Sequence, residues 1–190
     1  MKTLYLFRHG AKNPDGTLSE KGLAQARAAA HLDGPNRASH VFFGPISRTR
    51  DAALAFSDQF TPRPTITGPL SGIGSEDMVA EIVTPEFRSH VKSRATNWDA
   101  MHIVHNPWLI KQWSIEVAGA ILQMFRTLEE GEVGVAFGHD PMWSLGAILL
   151  GNRIVPRQVT SLAEGEGLEV IRRDDKRFIE VMRKCTGTQE

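Results

Sequence analysis

The chain has 190 residues, 41% of them hydrophobic, and its 22 Lys and Arg are balanced by 22 Asp and Glu. That size and composition suit a single domain over residues 1–190 with a sizeable core, and the balanced charge gives no reason to expect nucleic acid or an anionic membrane as partner. Cys185 is the only cysteine, which excludes an intrachain disulfide and a cysteine-based metal cluster; with no cleavage site after the short N-terminal apolar run and no stretch of membrane-spanning length, a cytoplasmic protein is expected.

Thr3-Leu4-Tyr5-Leu6-Phe7 is a continuous apolar and β-forming run ended by Arg8-His9-Gly10. It reads as a buried central strand that stops at a reactive edge. In an open α/β sheet, ligands bind beyond the carboxyl ends of the strands, so Arg8 and His9 are expected at the crevice. Histidine is a nucleophile at neutral pH, and arginine offers a planar fork of donors matched to a phosphoryl group. Gly10 is expected to let the backbone turn and approach a ligand closely.

Residues 11–16 form a turn on composition, and Thr17-Leu18-Ser19-Glu20 has capping-box spacing ahead of a helix through about His31. Residues 38–43 read as a second strand. The following Gly44-Pro45-Ile46-Ser47-Arg48-Thr49-Arg50 turns off it into a helix with Ala52, Ala53, Phe56 and Phe60 on one side. An arginine in that first turn would lie near free backbone N–H groups, a natural anion site. Arg48 and Arg50 are two residues apart, so only one of them can face the pocket.

A short third strand is expected over Thr65–Thr67, a capped helix from Ser75, and another helix from Pro85 to Met101. Trp98, Trp108 and Trp113, with Phe87 and Met101, make residues 75–113 a helical segment that either covers the crevice as a lid or packs on the sheet. The spacing of Ile115, Ala118, Ile121, Leu122 and Phe125 predicts a helix over Ser114 to Leu128. Val133 to Phe137 is a second buried strand ended by a histidine, Gly138-His139-Asp140-Pro141, with Pro141 suited to the first turn of a helix over Met142 to Leu150. Leu168 to Arg172 and Arg177 to Met182 complete the chain as antiparallel edge strands. His102 and His105 have spacing that could join two ligands on one helix face, but no cysteine or carboxylate cluster accompanies them, so lid or surface roles are expected and no metal site is assigned.

Arg8, His9, Arg48 and His139 thus come from three strand ends of one sheet. At these residues the chain resembles the histidine phosphatase superfamily, also called the phosphoglycerate mutase-like family. Arg8-His9-Gly10 matches its N-terminal signature. Leu18-Ser19-Glu20-Lys21-Gly22-Leu23-Ala24-Gln25-Ala26 matches the pattern that follows it. Gly44 to Ala53 matches the second block and selects Arg48 over Arg50. Phe137-Gly138-His139-Asp140-Pro141 is close to the His-Asn-Pro form of small bacterial phosphohistidine phosphatases of the SixA type.

The resemblance implies a three-layer α/β/α sandwich with a mostly parallel central sheet and antiparallel edge strands. It implies that His9 attacks phosphorus while Arg8, Arg48 and His139 hold the phosphoryl oxygens, with no metal or cofactor. The expected partner is a small phosphorylated substrate or a phosphohistidine protein. A cofactor-dependent phosphoglycerate mutase and a non-catalytic phosphate-binding scaffold are the alternatives.

Two departures stand out. Larger members carry a glutamate after the third strand as general acid; here residues 70–77 offer no clear match, leaving Glu76 as first candidate and Asp140 as second. Without an acid, labile groups such as phosphohistidine or phosphoramidate would be favoured. Lys12 stands where many members have serine or threonine, and is a candidate contact to phosphate or substrate.

Overall fold

The computed structural model describes residues 1–93, 97–151, 162–173 and 180–186. Strands β1 (Lys2–Arg8), β2 (His40–Phe43), β3 (Thr65–Thr67), β4 (Val133–Gly138), β5 (Glu166–Arg172) and β6 (Glu180–Thr186) lie in the spatial order β3-β2-β4-β1-β5-β6. The first four run parallel, β5 runs antiparallel to β1, and β6 antiparallel to β5. Residues 174–179, where the turn between the last two strands is expected, lie outside the described residues.

β1 is hydrogen-bonded on both edges and covered on both faces, which is why its sequence is a continuous apolar run. Its alternating side chains feed two cores. Leu4 and Leu6 join Phe42 and Ala136 on one face of the sheet; Tyr5 and Phe7 join Val41, Val135 and Phe137 on the other. The second face is closed by α1 (Glu20–Ala29) and α2 (Ser47–Ser57) through Ala26, Ala29, Ala52, Ala53 and Phe56. The first carries α3 (Glu76–Ile82), α4 (Pro85–Lys92), α5 (Asn97–Val104), α6 (Pro107–Thr127) and α7 (Met142–Leu150). This is the three-layer α/β/α sandwich with a mostly parallel sheet that the resemblance implies.

Four local expectations change. Ser19, not Thr17, caps α1, accepting from the Gly22 N–H at 3.2 Å. Thr17 instead donates its hydroxyl and backbone N–H to Asp15 in the preceding turn, so the cap falls two residues later. The single helix expected over Pro85 to Met101 is two, because α4 ends at Ser93, whose ψ of 19° leaves the helical range. α6 begins at Pro107, seven residues before Ser114, with the Asn106 side chain accepting from the Trp108 N–H at 2.8 Å and proline in the first turn. Its buried face is set by Ile110, Trp113, Val117, Ile121 and Met124, so Ile115 falls on the opposite side and is 53% exposed.

The segment 75–113 is divided in role. Met78, Ile82, Phe87, Met101, Ile110 and Trp113 are buried in the core on the sheet, whereas Trp108 is 68% exposed. The side chain of Trp98 lies outside the described residues.

Candidate active site

The register across the parallel strands builds the site. Arg8 of β1 pairs with Gly138 of β4, and Phe43 of β2 pairs with Phe137, so His9, Gly44 and His139 leave the sheet along one edge. The ladder continues past the strands: the His9 N–H donates to the Gly138 carbonyl at 2.9 Å and the Gly44 N–H to the Phe137 carbonyl at 3.3 Å. Trp143 of α7 is fully buried and donates its indole N–H to the Phe7 carbonyl at 2.8 Å, fixing the chain two residues before His9. A Cβ on Gly138 would come within 2.4 Å of the Trp143 ring, so that position admits only glycine.

His9 is 5% exposed and held at both ring nitrogens. Nδ1 lies 2.7 Å from the Gly10 carbonyl, and the Arg48 Nε–H donates to Nε2 at 3.1 Å. A carbonyl oxygen only accepts and a guanidinium only donates. The proton is therefore on Nδ1, and the lone pair is on Nε2, facing the cavity. This is the tautomer a nucleophilic imidazole needs.

Arg48 lies in the first turn of α2, whose N-terminus has no side-chain cap. The Thr49 hydroxyl, 2.8 Å from the Gly44 carbonyl and 2.7 Å from that of Ile46, fixes the turn that delivers it. Arg8 is anchored by an Nη1 hydrogen bond of 2.6 Å to the Leu162 carbonyl, which leaves its other donors for the cavity. The His139 ring lies edge-on to His9, with centroids 4.8 Å apart at 72°. It is 3% exposed, and its Nε2 is buried without a hydrogen-bond partner among the described residues. An unsatisfied buried polar atom costs on the order of 1–3 kcal/mol, a cost that a hydrogen-bond partner reaching Nε2 would remove.

Burial pushes the His9 imidazolium down to about pKa 3; the Gly10 hydrogen bond opposes this, and the charges of Arg48, Arg8 and Lys12 each add a smaller lowering. His139 is pushed well below the ordinary value by burial, and further by His9 and the two arginines. Both rings are therefore neutral at pH 7. The unfolded chain binds a proton at His9 near pH 6.5, while the native state binds one only near 3. Stability is thus fully present above about pH 6.5 and is lost as pH falls toward 3. Between pH 7.5 and 5 this one group should lower unfolding free energy by about 2 kcal/mol. Urea unfolding at the two pH values measures it, and His9→Ala should reduce the difference.

The cavity over these residues has a volume of about 570 Å³. Glu76 and Asp140 both line it: Glu76 is near enough to Arg48 to favour its charge, and Asp140 accepts from the Ser144 hydroxyl at 3.1 Å. Lys12 lines it as well. Arg50 is exposed and is not among the lining residues, consistent with the two-residue argument. Gly10 serves a different purpose from the one expected. A Cβ there would meet Gly22 Cα of α1 at 2.6 Å, so the glycine admits the close approach of a helix.

Sequence reasoning misses Arg88 and Lys92, which line the same cavity from α4. His102 is exposed, while His105 bonds through Nε2 to the Ile82 carbonyl at 2.9 Å and lies edge-on to Trp113. Among the described residues no group of three or more His, Cys, Asp or Glu could hold a metal ion, and no helix is long and apolar enough to cross a membrane.

No protein-family model and no curated protein matches the chain. Solved structures match it in fold. Bacillus stearothermophilus YhfR is 14% identical over 95% of both chains, with a TM-score of 0.66. Entamoeba histolytica phosphoserine phosphatase, in complex with 3-phosphoglyceric acid, is 16% identical over 100% of this chain and 98% of its own, with a TM-score of 0.63. SixA from Agrobacterium tumefaciens is 14% identical over 97% of both chains at a TM-score of 0.52. The fold is the phosphoglycerate mutase-like fold of the histidine phosphatases.

Proposed function

We propose that the protein is a metal-independent phosphatase that acts on a small phosphorylated molecule through a phosphohistidine on His9. One observation carries this reading: the His9 ring is held as the Nδ1–H tautomer with Nε2 against the Arg48 guanidinium, in a cavity also lined by Arg8 and by His139, whose Nε2 has no partner among the described residues. Phosphoryl transfer depends mostly on positioning and on neutralising the equatorial oxygens. Arg8, Arg48 and His139 supply that charge and those donors, the work a metal ion performs elsewhere.

In the first step the Nε2 lone pair forms a bond to phosphorus as the bond to the leaving oxygen breaks. The imidazole becomes cationic, and its Nδ1–H bond to the Gly10 carbonyl stabilises that charge. The leaving oxygen departs with a proton from a carboxylic acid. Water then attacks phosphorus, gives its proton to the same carboxylate, and displaces His9 with the electron pair returned to Nε2. Arg48 must pass its donor from Nε2 to the phosphoryl oxygens when substrate enters.

Glu76 is our assignment for the acid, because it lines the cavity on the Arg48 side. Alkyl phosphates need protonation of the leaving oxygen and aryl phosphates need little. Glu76→Gln should slow alkyl phosphate hydrolysis on the order of a hundredfold and aryl phosphate hydrolysis far less. The same contrast from Asp140→Asn instead would move the role to Asp140.

The function itself is tested by incubating the protein with a 32P-labelled aryl phosphate in the presence of chelator and quenching in alkali. The expected result is turnover with an acid-labile, alkali-stable label on the protein. Turnover that requires added metal would overturn the mechanism. Tight phosphate binding without label or turnover would return the chain to a binding protein.

A further inference from the structure

His9 and Gly10 are followed by a residue whose backbone is held on both sides by α1 and its cap. The Ala11 carbonyl accepts from the Ser19 N–H at 3.0 Å and from the Ser19 hydroxyl at 2.9 Å. The Ala11 N–H donates to the Gln25 Oε1 at 2.8 Å, and the other end of that amide, Nε2, donates to the Glu164 carbonyl at 3.1 Å. A backbone N–H only donates and a carbonyl only accepts, so these two partners fix which way the amide lies. Gln25 is buried, and glycines make room for it on two sides. A Cβ on Gly10 would meet its Oε1 at 2.7 Å, and one on Gly165 would meet its Cδ and Nε2 at 3.2 Å. A polar side chain is thus locked in the interior with both ends of its amide used.

What it holds is the peptide unit beside the nucleophile. The Gly10 carbonyl and the Ala11 N–H belong to one planar trans unit and point in opposite directions. The carbonyl faces His9 Nδ1 at 2.7 Å, and the N–H faces Gln25. Turning that unit over needs only a change in ψ of Gly10 and φ of Ala11, and glycine offers the least backbone resistance to it. The contact that places the His9 proton is therefore made by a peptide with a weak hold on its own orientation. Gln25 supplies the hold from outside the cavity, whose lining does not include it.

We propose that Gln25 is a positioning residue for the nucleophile: by holding the Ala11 N–H it keeps the Gly10 carbonyl on His9 Nδ1, and so keeps the Nε2 lone pair toward the cavity. Its kinetic consequence rests on the phosphatase reading above; the tautomer itself does not.

In Gln25→Met, a side chain of similar length, the Ala11 N–H loses its acceptor while Ser19 still holds the Ala11 carbonyl, so the loop stays attached to α1. Arg8 keeps its anchor, because the turn after Leu162 is also closed by hydrogen bonds between Ala163 and Glu166. The test reads the His9 tautomer in the resting protein at pH 7, by two-bond 1H–15N correlation on 15N-histidine-labelled chain. The His9 signals are assigned by their absence in His9→Ala. Wild type should show a protonated δ and an unprotonated ε nitrogen; Gln25→Met should show the two tautomers averaged. Phosphoenzyme formation from an aryl phosphate should slow on the order of tenfold, with KM changed less than threefold, because the guanidiniums stay in place. Gln25→Glu keeps an acceptor for the Ala11 N–H and should recover the wild-type tautomer and most of the rate.

A His9 tautomer unchanged in folded Gln25→Met, or an equal loss in Gln25→Glu, would overturn the proposal. The wild-type spectrum is also decisive without any variant, since an ε-protonated His9 would sink it. If neither wild type nor variants form a phosphoenzyme, the phosphatase reading falls, and the tautomer shift between wild type and Gln25→Met still settles the role of Gln25.

Discussion

Alanine in place of His9 should remove turnover by on the order of 10⁴-fold or more and abolish the alkali-stable label, with the fold intact. The expectation follows from the ring's surroundings. Among the described residues that line the cavity, His9 has one ring nitrogen fixed by a carbonyl and the other toward the cavity, whereas His139, 4.8 Å away centroid to centroid, has a buried Nε2 with no partner among the described residues. Phosphoenzyme trapping on the variant reads the chemistry, and circular dichroism with urea unfolding reads the fold. The fold should survive because the His9 backbone is held by its N–H bond to Gly138 and by Trp143 on Phe7, neither of which uses the imidazole. Label retained in His9→Ala would assign the nucleophile elsewhere.

Arg48→Ala should cost about 3 kcal/mol of transition-state stabilisation, roughly a hundredfold in kcat/KM. Two losses combine. The guanidinium is aimed at His9 Nε2, where phosphorus must arrive, so it is placed to bind the oxygens of the group in transfer. Its charge also helps keep His9 unprotonated. Arg48→Lys should recover only part of the rate, because a point charge cannot reproduce the fork. Arg50→Ala, on an exposed position of the same helix, should change the rate by no more than two- to threefold. Steady-state kinetics on an aryl phosphate with the three variants settles the order, and a large Arg50 effect beside a small Arg48 effect would reverse it.

The core of the site was legible because buried strands announce themselves. An unbroken apolar run that ends in a histidine has little use for that histidine in packing, and both β1 and β4 have this form. Arg48 was legible because it follows the turn off β2. β3, only three residues long, was bounded correctly by the Pro64 and Gly68 that flank it. The helical face was harder. Ile115 fits a 3.6-residue repeat counted from Ser114, yet the helix starts at Pro107, and the earlier turns with Ile110 and Trp113 fix which side is buried. Arg88 and Lys92 are ordinary surface residues by composition; only the placement of α4 against the sheet makes them cavity walls. Gly10 shows the same limit, since a glycine needed for a helix 12 residues away looks no different from one needed for a ligand.

The cage around His9 and the wall that faces it are built from separate parts of the chain. His9 and His139 are set by strand register, and a one-residue slip in β1 or β4 would turn every buried side chain to the wrong face. The opposing wall comes from one contiguous run, residues 79–92, whose side chains toward the cavity take no part in the ladder. On the phosphatase reading proposed above, substitutions in that run would change which phosphorylated compound fits the cavity while leaving His9, Arg48 and His139 in place.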